Sequence, residues 1–188
     1  MPNLFITTSR RTSNRVRTFV RDLCTIIPDT ERFNRGGMSL SELISRIKQS
    51  SAKGVLIVSM FRGNPGTLQL LSPEGTTLFE IKIESALLRR EIQTQKPSRI
   101  KTNPGVFIKN DSSEETIAFA TQFAKILEVP ITSVASIEAV EPGKKQEIFM
   151  WFQELSDGKV LWTQYLTLDR IEIGPRVRAF KIRRTDIE

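Results

Sequence analysis

The first 21 residues contain five arginines whose types and spacing suit contact with a polyanion. Arginine carries a planar, weakly hydrated guanidinium group that matches the geometry of phosphate oxygens. Two of the five stand in residues 7–13, where hydroxyl side chains and arginines precede a predicted helix, and the free N–H groups of a helix start also attract phosphate. The alternative interpretation of this segment is a capped helix behind a solvated, charged loop. The five arginines are Arg10, Arg11, Arg15, Arg17 and Arg21.

A second candidate segment, residues 32–37, mixes arginine, aromatic, amide and glycine residues. Arginine bridges phosphates, phenylalanine stacks on an unpaired base, and asparagine reads a base edge. Glycine lets the backbone approach a ligand closely. The alternative is an ordinary connection between two helices, with the ring of Phe33 in the core. The candidate RNA-binding residues of this segment are Arg32, Phe33, Asn34 and Arg35.

A third candidate segment lies near the end of the sequence, at residues 170–178. Arg176 and Arg178 are two residues apart, so in an extended strand their side chains point to the same side. They are candidates to extend the basic surface. The alternative is an edge strand that its charges protect from pairing with other chains.

The net charge of +7 is unevenly distributed along the chain. Ten Lys/Arg against four Asp/Glu give residues 1–53 a balance of +6, whereas residues 54–169 have a balance of −2 and residues 170–188 one of +3. A basic cluster of this kind indicates a polyanionic partner. The alternative is a basic surface that serves solubility alone.

The commonest general acid/base and metal ligand is missing, because the chain has no histidine, and it has a single cysteine, Cys24. Without histidine there is no Ser-His or Cys-His pair and no ordinary zinc site. No phosphate-binding loop or dinucleotide motif occurs. We therefore expect that the protein is not an enzyme and that it binds neither a cofactor nor a metal ion. One cysteine allows no internal disulfide, and no apolar run is long enough for a membrane span or a signal peptide, so we expect a cytoplasmic protein.

The elements predicted around the arginines begin with a buried strand at residues 4–9. A helix follows from the capping residues Ser13 and Asn14, with apolar residues at helical spacing up to Pro28. Ser39 and Glu42 form a capping-box pattern that begins a second amphipathic helix. The remaining predictions are a strand apolar on both faces at 55–61, a loop at 62–66, and a hairpin of strands 67–71 and 76–84.

A similar series follows residues 93–105, which are polar and are interpreted as a linker. A strand at 106–108 precedes a helix that begins near Ser113 and ends before Pro130. A hairpin of strands 148–155 and 160–168 comes next, and the last strand is 171–182, interrupted at Gly174 and Pro175. Because residues 4–6 align with 106–108 and the apolar faces of the two first helices also align, we predict an internal duplication. The second copy lacks the segment 32–37 and the helix after it, and its helix bears Glu114 and Glu115 instead of arginines.

Three short motifs resemble the signatures of Brix-domain proteins and occur in the order found in that family. Residues 4–11 and 32–36 are similar to the opening signature, residues 61–66 and 72–79 to the middle one, and residues 173–176 to the closing one. The sequence departs from the family pattern in having Thr12 where proline is frequent and residues 163–165 where histidine is frequent. The sequence has no long basic tails, and in this respect it resembles an archaeal-type minimal member of the family.

The resemblance implies a fold and a function. The implied fold is α/β, with two similar halves that each resemble the anticodon-binding domain of class IIa aminoacyl-tRNA synthetases, so we expect one Brix domain over 1–188, with a basic half at 1–92 and a second half at 106–188. The implied function is the binding and chaperoning of pre-rRNA, or of a structured guide RNA, during ribosome biogenesis. Residues 32–36 correspond to a segment that the family shares with a sigma-factor motif.

Two further hypotheses stay open at this point. One is a protein-interaction scaffold within a pre-ribosomal particle, for which RNA contact is incidental, and the other is a tRNA-binding accessory domain. Other ribosome-assembly proteins are expected partners in any of these roles, and neither DNA nor a membrane is expected.

Overall fold

A single sheet runs through the computed structural model, which describes residues 1–93 and 105–187 of the chain. Its ten strands, in chain order and within the described residues, are β1 (Leu4–Thr8), β2 (Thr30–Arg32), β3 (Gly54–Phe61), β4 (Asn64–Leu71), β5 (Thr77–Leu87), β6 (Val106–Lys109), β7 (Ile131–Val134), β8 (Ile148–Glu154), β9 (Val160–Leu166) and β10 (Arg176–Arg184). The helices are α1 (Asn14–Ile26), α2 (Leu40–Ser50), α3 (Arg89–Ile92) and α4 (Glu114–Leu127), with a short 3-10 helix at Ile137–Ala139.

The strand order is the same in the two halves when each is read from its own outer edge toward the centre. One edge begins β2-β1-β3-β4-β5 and the other begins β7-β6-β8-β9-β10. In each half the first three strands are parallel and the last two are antiparallel to their neighbours. The antiparallel pair β5–β10 joins the halves at the centre. The fold is therefore a mixed α/β fold built on one large sheet, most of whose strand pairs are antiparallel.

The three longest helices begin where the sequence predicts. The side chain of Ser13 accepts a hydrogen bond from the backbone N–H of Val16 at the start of α1. Ser39 and Glu42 form the complete capping box of α2. Ser113 caps α4. Each cap satisfies a backbone donor that has no partner within the helix, and this fixes the residue at which the helix starts.

The sheet is covered along one face and over the outer strands of the other. On one face α1 and α4 bury a single core that spans the two halves, with Leu4, Ile6 and Phe119 fully buried in it. On the other face α2 covers β1 and β3 in the N-terminal half, and the segment around Val140 covers Phe149 and Trp151 of β8 in the C-terminal half. Alternate residues of a strand point to opposite faces, which is why β3 is apolar throughout its first half.

Several predicted elements differ from the observed ones. Strands β2 and β7 and the short α3 were not predicted, since they contain too few residues for a periodic pattern. Residues 64–66 belong to β4 and not to a loop. The last strand begins at Arg176, and residues before it contribute one isolated bridge, between Tyr165 and Glu172. Most of the predicted linker, residues 94–104, lies outside the described residues.

Candidate nucleic-acid interface

The carboxyl ends of β1, β2 and β3 lie at one edge of the sheet because these strands are parallel. In the observed register Ile6 pairs with Arg32, and Thr8 pairs with Val58. The chain therefore leaves the three strands on the same side, through residues 9–13, 33–38 and 61–63. We call these three loops, together with the exposed face of α1, the N-terminal edge. In open α/β sheets, ligands bind outside the carboxyl ends of the strands.

Hydrogen bonds between the three loops fix their relative positions. The hydroxyl of Thr7 donates to the carbonyl of Phe33 at 2.6 Å, which links β1 to the second loop. The hydroxyl of Ser13 donates to the carbonyl of Gly63 at 2.7 Å, which links the start of α1 to the turn after β3. The backbone N–H of Ser9 donates to the carbonyl of Val58 at 3.0 Å. The N-terminal edge is thus one connected surface.

An open cavity of about 240 Å³ lies between the first two loops and α1. The arginines that line it come from three separate places in the sequence, namely the first loop, α1 and the end of β2. The hydroxyl oxygen of Thr12 in its wall is buried and bonds to none of the described residues. The predicted site residues that line the cavity are Arg10, Arg17, Arg32, Phe33 and Asn34.

Most of the predicted arginines carry a charge that no carboxylate of the described residues neutralises. Five of them are exposed and form no ion pair within the part of the chain that the structure describes. The guanidinium of Arg17 donates to the amide oxygen of Asn14 at 3.0 Å, which leaves its charge intact. An exposed cluster of one sign on one edge creates a positive electrostatic potential there. The five are Arg10, Arg11, Arg17, Arg21 and Arg32.

Arg35 adds a partly buried charge to this surface. Its Nε donates to the carbonyl of Met38 at 3.1 Å. Burial lowers the pKa of Arg35, and the nearby positive charge of Arg10 lowers it further. Two guanidinium groups that repel each other in this way form an arrangement that an anion would stabilise.

Arg15 is turned away from the cavity and paired within the fold. Its guanidinium donates to both carboxylate oxygens of Glu91, at 2.7 and 2.9 Å, and to the carbonyl of Ala86 at 3.0 Å. The hydrogen bond from Arg15 lowers the pKa of Glu91. Glu91 also accepts the backbone N–H of Leu88 at 2.7 Å. This ion pair fixes α3 against α1. The positive charge of Arg15 is therefore largely neutralised by Glu91.

The ring of Phe33 is half-buried, and it both lines the cavity and packs against the core cluster beneath α2. It packs edge-to-face on Phe5 with 5.9 Å between ring centroids, and it contacts the cluster beneath α2. The guanidinium carbon of Arg46 lies 4.7 Å from the ring centroid and covers it. This packing agrees in part with the alternative interpretation of Phe33, and a contact between Phe33 and a base stays a prediction. Asn34 next to it is exposed.

Arg176 and Arg178 are also paired with carboxylates. The Nε of Arg176 donates to Glu172 at 2.8 Å, and Arg178 contacts Glu84 at 2.8 Å and Asp157 at 2.5 Å. The edge-strand interpretation of this segment is wrong, since β10 lies between β5 and β9 in the middle of the sheet. The charges of these two arginines are therefore partly neutralised within the chain.

Two residues of this edge were not among the predicted site residues. Phe61 ends β3 and is 64% exposed, and the guanidinium carbon of Arg62 lies 5.2 Å from the centroid of its ring. In the sequence this pair stands in the stretch that resembles the middle signature, and its neighbour Gly63 indicates a turn. An exposed aromatic at a turn is not visible from composition, because its exposure depends on the pairing of β3 with β4.

Two negative findings concern the described residues. No group of three or more acidic, cysteine or histidine side chains there is placed to hold a metal ion. None of the helices there is long and apolar enough to cross a membrane.

No protein-family model matches the chain, but curated proteins do. A probable Brix domain-containing ribosomal biogenesis protein of Methanococcus maripaludis is 30% identical over 123 residues, which cover 65% of this chain and 71% of that protein. A protein of the same description from Aeropyrum pernix is 43% identical over 70 residues, covering 37% of this chain and 39% of that protein. The U3 small nucleolar ribonucleoprotein protein IMP4 of Yarrowia lipolytica is 29% identical over 92 residues, covering 48% and 32%.

Solved structures extend the similarity to the whole chain. The crystal structure of a probable ribosomal biogenesis protein from Aeropyrum pernix K1 superposes with a TM-score of 0.74 at 26% identity, covering 100% of this chain and 98% of that one. The sequence matches are shorter, and the matched segment spans about two fifths of the Aeropyrum pernix relative and a third of the Yarrowia lipolytica one.

Proposed function

The chain belongs to the Brix domain family of ribosomal biogenesis proteins, and on this premise we propose that it binds pre-rRNA at the N-terminal edge and chaperones its folding during ribosome assembly. The observation that carries the proposal is the set of exposed arginines, unneutralised by the described carboxylates, around one open cavity. RNA presents a regular row of phosphates, and each arginine that contacts one releases a bound counterion. Asn34, exposed in the same cavity wall, is placed to contact a base edge or a ribose.

The role we propose is that of a non-enzymatic factor acting in the cytoplasm. A structured guide RNA is an equally suitable ligand for the same surface, because its backbone carries the same phosphates, and the Yarrowia lipolytica relative is named as a protein of a small nucleolar ribonucleoprotein. Other ribosome-assembly proteins are the expected protein partners. Arg15, Arg176 and Arg178 are left out of the proposed interface, since each is held by a carboxylate of the chain.

We also propose that the single domain arose by duplication, with halves at 1–92 and 106–188 that each resemble the anticodon-binding domain of class IIa aminoacyl-tRNA synthetases. The matching strand orders and orientations of the halves support this origin. Helix α2 is then an addition to the first copy. The N-terminal copy would then carry the arginines that contact RNA, and the C-terminal copy would have a structural role.

A protein-docking role is the second candidate, and one observation favours it. The connection between β9 and β10 exposes the apolar side chains of Leu168 and Ile171. If docking is the main role, an assembly protein should remain bound after nuclease treatment of the purified complex. If RNA binding is the main role, the partner should be released with the RNA.

The test of RNA binding replaces Arg17 and Arg21 by glutamate. Both are exposed on α1 and one turn apart, so the fold should tolerate the change. We expect affinity for an rRNA fragment, measured by fluorescence anisotropy, to fall on the order of tenfold or more. The slope of log affinity against log salt should become shallower by about 1 for each phosphate that the variant no longer binds.

The matched control replaces the exposed Lys144 and Lys145 by glutamate, which changes the net charge by the same amount in the other half. This control should retain most of the affinity. An equal loss in both variants would mean that only overall charge matters, and no loss in the α1 variant would contradict the proposed interface.

A further inference from the structure

The turn between β3 and β4, which is part of the N-terminal edge, exposes an aromatic side chain to water. Phe61 is 64% exposed, whereas phenylalanine normally contributes to stability by being buried. The guanidinium carbon of Arg62 lies 5.2 Å from the centroid of the Phe61 ring, within the range of a cation–π contact. The turn thus presents an aromatic ring and a positive charge side by side on the surface.

The backbone of this turn is fixed in an unusual conformation. Phe61 pairs with Asn64, so Arg62 and Gly63 are the two central residues of the hairpin turn, and both have a positive φ, of 49° and 80°. Turns of this kind favour asparagine or glycine, because a side chain at positive φ is strained. An arginine at the first central position therefore carries a conformational cost that a smaller residue would avoid.

Neighbouring residues fix the backbone of the turn. A Cβ atom at Gly66 would lie 2.4 Å from the Cβ of Phe61, so glycine is needed where β4 passes the aromatic residue. The hydroxyl of Ser13 donates to the carbonyl of Gly63 at 2.7 Å and fixes the turn to the start of α1. The turn that carries the ring consequently lies next to the loop that contains Arg10 and Arg11.

We propose that Phe61 and Arg62 form a stacking site for an unpaired nucleobase of the RNA strand whose phosphates contact the arginines of the N-terminal edge. This inference rests on the proposed function and adds to it a preference for single-stranded or looped RNA over duplex RNA. Bases in a duplex are stacked on each other, whereas an unpaired base gains a partner by stacking on an aromatic ring or a guanidinium plane.

The molecule contains a natural comparison for this site. Phe180 on β10 is 54% exposed, and the ammonium of Lys159 lies 5.4 Å from the centroid of its ring. Lys159, however, is paired with the carboxylates of Glu84 and Asp157. Arg178 is paired with the same two carboxylates, so the four charges cancel. Because no excess positive charge lies beside the ring of Phe180, we do not expect it to bind RNA.

The experiment compares Phe61→Ala, Phe61→Leu and Phe61→Trp with Phe180→Ala, each checked for folding by its thermal unfolding transition. The probes are a short single-stranded RNA and the duplex that it forms with its complement. We expect Phe61→Ala and Phe61→Leu to lower affinity for the single strand about tenfold, with little change for the duplex. Phe61→Trp should retain affinity, and its exposed indole should be quenched by the single strand, while Trp151 and Trp162 are buried.

Several outcomes would overturn the stacking site. These are an unchanged single-strand affinity of Phe61→Ala, an equal loss on the duplex, full affinity of Phe61→Leu, or an equal loss in Phe180→Ala. If the Arg17 and Arg21 variant loses RNA while Phe61→Ala does not, the stacking site fails and the proposed function stands. If the unaltered protein binds neither probe, both proposals fail.

Discussion

The two outer parts of the sheet share one architecture and carry opposite charge. In the N-terminal half the chain leaves β1 through Ser9 into two arginines, and α1 has no acidic residue in its first turn. In the C-terminal half the chain leaves β6 through Asn110 and Asp111, and α4 opens with Glu114 and Glu115. The same three parallel strands therefore end in a cationic edge in one half and in an anionic one in the other.

The two halves also differ in the groups that contact the starts of α1 and α4. The carboxylate of Glu154, at the end of β8, accepts the backbone N–H of Ser113 at 2.8 Å, so the start of α4 is already occupied by an anion of the chain itself. At the start of α1, Ser13 contacts the carbonyl of Gly63, and that contact contributes no carboxylate. A helix start attracts anions. In the C-terminal half the carboxylate of Glu154 neutralises the partial positive charge of the helix start. In the N-terminal half this charge stays available to a ligand.

The largest expected effect tests whether the two halves are one folded unit. Phe119 of α4 is fully buried and packs edge-to-face on Phe79 of β5 at 5.4 Å, and so connects the C-terminal helix with the N-terminal half. Phe119→Ala should lower the free energy of unfolding by about 3–5 kcal/mol. Chemical denaturation should still show one transition, because a single core spans both halves.

The matched variant is Phe19→Ala in α1, whose ring is buried in the same core. It should lower the midpoint of the same transition when fluorescence and circular dichroism are followed together. Two separate transitions, each affected by one variant, would mean that the halves unfold independently, and the contrast would then be between two domains.

Much of this architecture was predictable from the sequence. The caps at Ser13 and Ser39 and the apolar spacing after each of them give α1 and α2, since both signals are local. The alternation of Phe79, Ile81 and Ile83 with charged residues gives β5 with one wet face. The uneven charge shows that the N-terminal part of the sequence is the basic one, because counting charges needs no structure.

What the sequence does not give is which charges are free. Arg15 and Arg17 are two residues apart in one helix, yet one is paired with a carboxylate 76 residues away and the other lines the cavity. Such pairing depends on long-range packing. The interior position of β10 and the exposure of Phe61 were missed for the same reason, since both follow from strand order.

An intermediate effect on stability is expected when the ion pair between Arg15 and Glu91 is removed. Arg15→Leu and Glu91→Gln should each lower the free energy of unfolding by about 1 kcal/mol, because the pair is partly exposed. Since Arg15 lowers the pKa of Glu91, the stabilisation is complete above the ordinary pKa of a glutamate and is lost as the pH falls through the lowered value. Glu91→Gln should remove this pH dependence.

The control for this prediction is RNA affinity. Arg15→Leu should change it less than twofold when the protein is folded, whereas Arg17→Leu should weaken it with a shallower salt dependence. If Arg15→Leu weakened RNA binding as much as Arg17→Leu, Arg15 would belong to the binding surface, and the division between paired and open arginines would be wrong.

The smallest effect is expected from giving the anionic edge the charge of the cationic one. Glu114→Arg with Glu115→Arg places two exposed guanidinium groups at the start of α4, where α1 has Asn14 and Arg15 in the equivalent positions. Each change removes a favourable charge from a helix start, at a cost of about 0.3–1 kcal/mol, so the protein should stay folded. RNA affinity at low salt should rise only a few-fold, since Glu154 still accepts the backbone N–H of Ser113 at the start of α4.

The control makes the same charge change at the exposed Glu74 and Glu141, and it should have a smaller effect on RNA affinity. A gain as large as the loss in the Arg17 and Arg21 variant would mean that charge alone makes an edge a binding site, and an equal gain from Glu74 and Glu141 would mean that its position does not matter.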